Sequence, residues 1–314
     1  MSKYVIKNSI WFVLAESIRI YFSNIDKFFI YMLFPVFGQI IGIILTFALS
    51  LGFAPKIIER VESPSMALLF VLLLALPGLL IFMKAFWDYM VAYVALNSMT
   101  EGAITTGKVY DFQSHNEVAT RRIWAYIWLL LIVGALSALA SNILLIVPGF
   151  IIWIYFILVF QIFTFEPELT AVECFKRSFN LIKGHWFRTI ILLGILWFFS
   201  IYIITIGVSV VFDYLDLTDK ICTLFNYFTN TIPLDGINSH LVHFHQQIIT
   251  PRMISETIFY SVLSAIVMGL TLPIRSISWS LWYMNLNNLL ANKSNNSDKK
   301  NKKNNKRNKN EYEE

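Results

Sequence analysis

The sequence predicts an all-α, polytopic membrane protein with six transmembrane helices in three hairpins and two interfacial amphipathic helices. The first observation is composition: 57% of the 314 residues are hydrophobic and 14% are charged, against roughly 45–50% and about 25% in soluble domains. The second is that apolar runs long enough to cross a bilayer, about 20 residues each, recur along the chain. The third is a helical stripe of apolar side chains ahead of two of these runs.

The apolar runs define the expected spans. Backbone polar groups in hydrocarbon must bond within their own segment, so each run is expected to be helical. The third and fourth runs are separated only by Ile146-Val147-Pro148-Gly149, and a Pro-Gly pair is typical of a tight turn. These two runs are therefore expected to form one antiparallel hairpin. The expected spans are residues 28–53, 66–96, 123–147, 149–165, 187–212 and 251–290.

The distribution of lysine and arginine predicts the orientation, because short cytoplasmic loops are enriched in these residues. Nineteen of them fall on the side that holds both termini, or eleven without the C-terminal tail. The opposite side has four, namely Lys56, Arg60, Lys220 and Arg252. Both termini are therefore expected in the cytoplasm. The first residues lack a long apolar stretch and an Ala-x-Ala site, so no cleaved signal peptide is expected.

Two further basic residues, Lys84 and Arg275, lie inside the long second and sixth apolar runs. One interpretation is an intramembrane polar cluster in which Lys84 pairs with Asp88 one helical turn on and Arg275 lies nearby. The other follows from length. A span of about 20 residues counted from the start of each run places both residues near the cytoplasmic boundary, where they would snorkel to the headgroups. The second interpretation is favoured.

An interfacial helix is predicted over residues 170–184, between the fourth and fifth spans. Thr170 and Glu173 have the spacing of a capping box, and Gly184 suits a C-terminal cap. The helix is expected to lie along the inner leaflet or, as an equal alternative, to dock on the cytoplasmic ends of the protein's own helices. Its apolar stripe is Val172, Phe175, Phe179, Ile182 and Trp186, with Lys176, Arg177 and Lys183 off the stripe.

A second amphipathic helix is predicted within residues 1–27, directly before the first span. Its apolar stripe is Trp11, Leu14, Ile18, Tyr21, Ile25 and Phe28. Residues 16–22 align with residues 173–179, and Trp87-Asp88-Tyr89-Met90 is similar to Trp282-Tyr283-Met284. The pattern is compatible with a duplication of a surface helix plus a hairpin. A shared need for interfacial helices accounts for it equally well.

The stretch from Pro148-Gly149 through Glu173, Lys176-Arg177-Ser178 and Lys183-Gly184-His185-Trp186 resembles a family of bacterial multi-pass proteins. That family is related to the membrane domain attached to some glycerophosphoryl diester phosphodiesterases. Cys174 stands where a small residue is usual in the family, and the segment after Tyr283 lacks its acidic and basic residues. The resemblance implies a fold and a bacterial inner or plasma membrane location. It does not imply the phosphodiesterase activity, which belongs to a soluble barrel of about 250 residues that this chain has no room for.

The sequence contains no motif of a known active site, and neither an enzyme activity nor a cofactor is expected. His240, His243 and His245 are close enough to suggest a metal site, but no single regular element aligns all three, so a solvated loop is favoured. Glu166 and Glu168 flank Pro167 and are interpreted as helix-boundary residues. Cys174 and Cys222 are placed on opposite sides of the membrane, so no disulfide between them is expected.

The Asn/Lys-rich residues 291–314 are expected to form a disordered, basic cytoplasmic tail that fixes topology. Membrane lipids and an unidentified membrane protein are the expected partners, nucleic acid is not favoured, and the sequence does not predict an oligomeric state. The leading hypothesis is a non-enzymatic accessory or scaffold protein in envelope or lipid homeostasis. The alternative is a transporter or permease component with a polar path near Lys84, Asp88 and Arg275.

Overall fold

The computed structural model describes residues 9–61, 63–109, 112–140, 146–230, 232, 234–235, 238, 242 and 247–311. Within these residues the regular secondary structure is helical throughout, so the predicted all-α fold class is confirmed. The helices are α1 (Ile10–Ser23), α2 (Ile25–Arg60), α3 (Pro64–Thr105), α4 (Phe112–Thr120), α5 (Ile123–Ala140), α6 (Ile146–Tyr155), α7 (Val159–Phe165), α8 (Ala171–Ile182), α9 (Trp186–Trp197), α10 (Ile204–Tyr214), α11 (Leu217–Thr229) and α12 (Pro251–Glu311). A π-helical segment, Phe198–Ile203, joins α9 to α10.

Five helical stretches in the described part of the chain are long and apolar enough to cross a membrane. A sixth is obtained if the bent pair Phe112–Thr120 and Ile123–Leu139, which meet at 71°, is counted as one span. The prediction of a polytopic helical membrane protein with about six crossings is therefore confirmed in its coarse form. The five stretches are Ile25–Ser50, Ser65–Thr105, Val147–Phe165, Trp186–Tyr214 and Pro251–Ala291.

The predicted turn at Pro148-Gly149 is wrong. Both residues lie in the first turn of α6, which begins at Ile146. Proline is tolerated in the first helical turn because the backbone N–H groups there have no partner within the helix. Residues 141–145, between α5 and α6 in the sequence, lie outside the described residues. The two helices pack against each other, as the hairpin prediction requires.

The expectation of a disordered C-terminal tail also differs from the structure, in which α12 continues to Glu311. After Pro273 the sequence contains no proline or glycine up to that residue, so nothing in it forces the helix to end. Residues 312–314 lie outside the described part. Between the fifth and sixth predicted spans, α11 occupies Leu217–Thr229.

The chain divides into two compact units, each described by itself. The first consists of Met1–Ile25, Tyr93–Gly194 and Pro273–Glu314. In it α8 packs against α5, α6 and α7. Tyr126, Leu129, Ile154 and Phe163 are among its largest fully buried side chains. This unit contains both surface helices predicted from the sequence.

The second unit consists of Asp26–Ala92 and Ile195–Leu272. Small residues recur every fourth position along α2, at Gly38, Gly42, Thr46 and Ser50. A Cβ added at Gly42 would lie 2.6 Å from the backbone nitrogen of Phe82 on α3, and one added at Gly38 would lie 2.7 Å from the Ala85 Cβ. Small residues at this spacing let two helix backbones approach closely.

Candidate functional site

Helix α8 begins and ends as the sequence predicts. The Thr170 side chain accepts a hydrogen bond from the Glu173 backbone, and the Glu173 carboxylate accepts one from the Thr170 backbone at 2.8 Å. The Thr170 hydroxyl also donates to the Glu173 carboxylate, and the two hydrogen bonds that this carboxylate accepts from Thr170 hold the pKa of Glu173 below its usual value. After the helix, Gly184 adopts φ +87°, a conformation that favours glycine. The predicted capping box and C-terminal glycine are therefore confirmed.

The buried face of α8 is rotated from the predicted stripe. Cys174, Phe175, Ser178, Leu181 and Ile182 are buried, whereas Val172 and Phe179 are exposed. Three of the buried residues, Cys174, Ser178 and Leu181, are absent from the predicted stripe. The Ser178 hydroxyl donates to the Tyr155 carbonyl at 2.7 Å, which satisfies it in a buried position.

Helix α8 packs on α5, α6 and α7, as the second of the two alternatives, docking on the protein's own helices, requires. Phe175 and Ile182 of the predicted stripe are buried, and Trp186 is half-buried. Lys176 and Lys183 are exposed, as expected for residues off the stripe. An apolar edge, Val172 and Phe179, is left uncovered on the same helix.

Helix α1 shows the same rotation. Its buried residues are Val13, Glu16, Ser17, Ile20 and Tyr21. Of the predicted stripe, Tyr21 and Phe28 are buried, Leu14 is half-buried, and Trp11, Ile18 and Ile25 are exposed. The Ser17 hydroxyl accepts a hydrogen bond from Ser278 of α12 at 2.8 Å, which fixes the buried face.

An exposed apolar stripe is left on the opposite side of α1. Trp11, Ala15, Ile18 and Phe22 are all exposed, at spacings of three and four residues, and Trp11 is 72% exposed. Positions spaced in this way share one face of a helix. We call these four residues the α1 outer stripe. Arg19, which is exposed, lies beside Ile18 in sequence.

An ion-pair cluster ties together the segments around α7, α8 and α12 in the first unit. Arg177 Nε donates to Glu166 Oε1 at 3.0 Å, and Arg177 Nη2 donates to Asn287 Oδ1 at 2.6 Å. The Tyr283 hydroxyl donates to the same Glu166 oxygen at 2.7 Å. The Tyr283 ring stacks on Phe165, with centroids 5.0 Å apart. Glu166 is thus the shared acceptor of a three-helix contact.

Arg122 makes a second connection within the first unit. Its guanidinium donates to the Phe163 carbonyl at 3.1 Å and also to the Leu169 carbonyl. It lies 4.3 Å from the centroid of the Phe163 ring. Carbonyls at the end of a helix lack partners within the helix, so Arg122 satisfies the C-terminal end of α7 just before α8 begins.

A third cluster consists of uncharged polar groups, and we call it the hydroxyl–amide cluster. Asn97 Oδ1 accepts from Ser276 Oγ at 2.6 Å, from Ser280 Oγ at 3.3 Å and from Gln161 Nε2 at 3.4 Å. Gln161 Nε2 also lies 3.4 Å from the Tyr93 hydroxyl. Asn97, Gln161, Ser276 and Ser280 are all 0% exposed. Among the residues that the structure describes, none is a hydrogen-bond partner of Asn97 Nδ2 or of Gln161 Oε1.

Lys84 and Asp88 are in contact, as the first of the two interpretations, the intramembrane cluster, requires. Lys84 Nζ lies 2.5 Å from Asp88 Oδ1, and the Lys84 side chain is 70% exposed. The pair belongs to the second unit and lies within Ser65–Thr105, a stretch that is long and apolar enough to cross a membrane. Arg275 belongs to the first unit. His240, His243 and His245 lie outside the described residues.

Both cysteines are free and buried. Burial raises the pKa of the Cys174 thiol to about 11. Because the thiolate is the reactive form, Cys174 is expected to react slowly with alkylating reagents while the protein is folded. Cys222 packs with Phe259 and Leu263 in the core of the second unit.

Sequence reasoning missed the acceptor role of Glu166, which was interpreted as a helix-boundary residue, and the whole hydroxyl–amide cluster. Uncharged amides and hydroxyls within apolar runs carry a signal, because such groups hydrogen-bond across helices in membrane proteins. Gln161 lies inside the fourth predicted span, and Asn97 follows the second. A search limited to charged residues could not find them.

No family model, curated protein or solved structure matches this chain.

Proposed function

We propose that this protein is a non-enzymatic scaffold of a bacterial inner or plasma membrane, with both termini in the cytoplasm. It would serve an accessory role in envelope or lipid homeostasis. The observation that carries the proposal is the α1 outer stripe: a helix outside the spans presents Trp11, Ile18 and Phe22 to its surroundings while its other face is fixed to the protein. Such a helix suits the boundary between headgroups and acyl chains.

Position and charge support a lipid partner. Only Asn24 separates α1 from α2, whose Ile25–Ser50 stretch can cross a membrane. The stripe is therefore held where a span begins. Arg19, on the same helix, is exposed, and basic residues near a membrane surface attract anionic lipids. Helix α8 also combines exposed apolar and basic side chains. The apolar ones are Val172 and Phe179, and the basic ones are Lys176 and Lys183.

Purification with native lipids followed by mass spectrometry tests this role. We expect retained anionic lipid, and its loss when Trp11, Ile18 and Phe22 are replaced together by serine. A matched control replaces three exposed residues away from the stripe, Ser23, Thr120 and Thr257, by alanine. Equal lipid retention by both variants would contradict the proposal. Turnover of a phosphodiester by vesicles bearing the protein would contradict the non-enzymatic part.

The second candidate is a transporter or permease component. The hydroxyl–amide cluster favours it, because polar side chains buried in a helical membrane protein mark substrate and ion pathways. Single-cysteine labelling at positions 84 and 275 distinguishes the two. A scaffold predicts that reagents reach these positions from one face of the membrane only. Labelling from both faces would contradict the scaffold proposal and support the transporter.

A further inference from the structure

A cavity lies along the first part of α12, in the second unit. Its volume is about 620 Å³, within the range of about 300–1,000 Å³ that is typical of ligand sites. Its lining residues recur at spacings of three and four, so they share one face of the helix. Most of them are polar, although they lie in a stretch that is long and apolar enough to cross a membrane. The lining residues are Met253, Glu256, Thr257, Tyr260, Ser261 and Ser264.

The charged groups beside the cavity leave it with an excess of negative charge. Arg252 donates to Glu256 at 2.8 Å and to Asp219 of α11 at 2.8 Å, so one guanidinium faces two carboxylates. Asp213, near the end of α10, is a third carboxylate, and its charge acts on Tyr260. An excess of negative charge attracts a cation and repels an anion. The cavity is therefore suited to a positively charged group.

The exposed charges at the start of α12 indicate where the cavity lies relative to a membrane. Arg252 and Asp219 are 65% and 68% exposed, and charged side chains that face hydrocarbon are strongly unfavourable. These two residues therefore belong outside the hydrocarbon. Glu256 follows Arg252 by one helical turn, about 6 Å along the axis, so the charged end of the cavity lies at the level of the lipid headgroups.

The serine hydroxyls of the cavity lie further along α12, towards the acyl chains. Ser261 follows Glu256 by five residues, which is about 7.5 Å along the helix axis, and the headgroup region of one leaflet is about 5–7 Å thick. Ser261 therefore lies near the boundary with the acyl chains, where the ester groups of a phospholipid are found. A serine hydroxyl can donate to an ester carbonyl. The cavity thus presents a carboxylate and then hydrogen-bond donors in the order in which a phospholipid presents its headgroup and its esters.

We propose that this cavity binds a phospholipid whose headgroup ends in a primary ammonium, as in phosphatidylethanolamine, with the ammonium on Glu256 and an ester group at Ser261. A primary ammonium can donate charge-assisted hydrogen bonds to a carboxylate, whereas a choline group has no N–H to donate. The ring of Tyr260, which is 43% exposed, can also contact a cation. The site is in the second unit and the α1 outer stripe is in the first, so either proposal can fail without the other.

The experiment is native mass spectrometry of the full chain in detergent, after equilibration with equal amounts of phosphatidylethanolamine and phosphatidylcholine that have the same acyl chains. Both lipids are neutral overall, so the basic residues near the α1 outer stripe do not distinguish them. The wild type should retain phosphatidylethanolamine about tenfold more than phosphatidylcholine. Replacement of Trp11, Ile18 and Phe22 by serine should leave this preference unchanged, because the stripe belongs to the other unit.

Two variants test the cavity itself. Glu256→Gln removes the charged acceptor and should abolish the preference for phosphatidylethanolamine. Ser261→Leu fills the cavity without changing its charge and should also abolish the preference. Asp216→Asn is the matched control, because Asp216 is an exposed carboxylate of the same unit that does not line the cavity, and asparagine tolerates its positive φ of 52°. This variant should keep the preference.

Three results would overturn the proposal. Equal retention of the two lipids by the wild type would do so whether or not the variants fold. A preference that persists in both Glu256→Gln and Ser261→Leu would show that the lipid binds elsewhere. Displacement of the lipid by an equal concentration of free ethanolamine would show that the cavity binds a soluble amine and not a phospholipid.

Discussion

Glu166 is half-buried and accepts from both Arg177 and Tyr283, so its charge is part of the packing of the first unit. Glu166→Gln keeps the shape and removes the charge. Without the carboxylate, the partly buried Arg177 guanidinium is left without a charged partner and poorly solvated. The free energy of unfolding should therefore fall by about 2 kcal/mol. The change is measured as the difference in unfolding temperature between variant and wild type, monitored by tryptophan fluorescence.

Glu168→Gln is the matched control, because Glu168 is exposed and lies two residues away. It should change the unfolding free energy by less than about 0.5 kcal/mol. Equal effects of the two substitutions would show that the Glu166 contacts do not stabilise the fold.

Cys174 gives a pH-dependent prediction. Its folded pKa, about 11, is raised above the unfolded value of about 8.5. Below the pKa of the unfolded thiol, both states keep the proton and the free energy of unfolding is unaffected. As pH rises from that pKa towards the pKa of the folded thiol, only the unfolded state ionises, so the free energy of unfolding falls. The wild type should therefore lose stability between about pH 9 and pH 11.

Cys174→Ala removes this titration, so the variant should lose less stability over the same range. Tyrosines and lysines titrate in both proteins, and the comparison of the two chains cancels their contribution. If the variant and the wild type lose the same unfolding free energy over this pH range, burial of the Cys174 thiol is not the cause of the loss.

At the scale of single elements, the N-terminus of α8 is held by Thr170. Thr170→Ala removes the side-chain acceptor and should destabilise the protein by about 1 kcal/mol. Thr223→Ala on α11 is the control, because the exposed Thr223 hydroxyl donates to the Asp219 carbonyl of its own helix, and this substitution should be near neutral. The pKa of Glu173 is lowered by the same cap, so this stabilisation is present above its unfolded pKa and is lost as pH falls through the folded value.

The difference in unfolding temperature between Thr170→Ala and wild type should therefore shrink in acid. Heating scans at neutral and acidic pH check this. A constant difference at both pH values would contradict the role of the Glu173 carboxylate in the cap.

Packing of α2 on α3 gives another prediction. Gly42→Ala places a Cβ 2.6 Å from the Phe82 backbone nitrogen. A backbone atom of a helix, unlike the end of a flexible side chain, cannot shift by itself to relieve the clash. The helices must separate, at a cost of about 1–3 kcal/mol. Gly52→Ala in the same helix has nothing within 4 Å of the added Cβ and should be neutral or stabilising by up to about 1 kcal/mol. Thermal unfolding compares them, and a milder effect at Gly42 than at Gly52 would refute the close approach.

The surface helices show where sequence patterns suffice and where they fail. Thr170, Glu173 and Gly184 act locally, so their spacing alone predicted how α8 begins and ends. The buried faces of α1 and α8 could not be predicted in the same way. Ser17 and Ser178 are buried because hydrogen bonds to Ser278 and to the Tyr155 carbonyl satisfy them, and those partners are distant in sequence. In a membrane protein the outer apolar face need not be the one that packs on the protein.

For the whole molecule, composition and run length predicted the helical class and about six possible crossings, because hydrocarbon leaves the backbone few alternatives. The Pro148-Gly149 turn failed because proline suits a first helical turn as well as a loop. The hydroxyl–amide cluster is formed by residues from positions 93 to 280, so no local pattern could assemble it. Charge asymmetry still predicts cytoplasmic termini, and this orientation is part of the proposed function.

The central claim is that the α1 outer stripe lies in the membrane interface. It is tested most directly by electron paramagnetic resonance in vesicles that contain anionic lipid. Nitroxide labels are placed separately at Ile18, on the stripe, and at Ser23, which is exposed on another side of α1. We predict that the label at position 18 collides mainly with oxygen, which partitions into lipid, and the label at position 23 mainly with a water-soluble nickel complex. A label at position 18 that is as accessible to nickel as the one at position 23 would contradict the account.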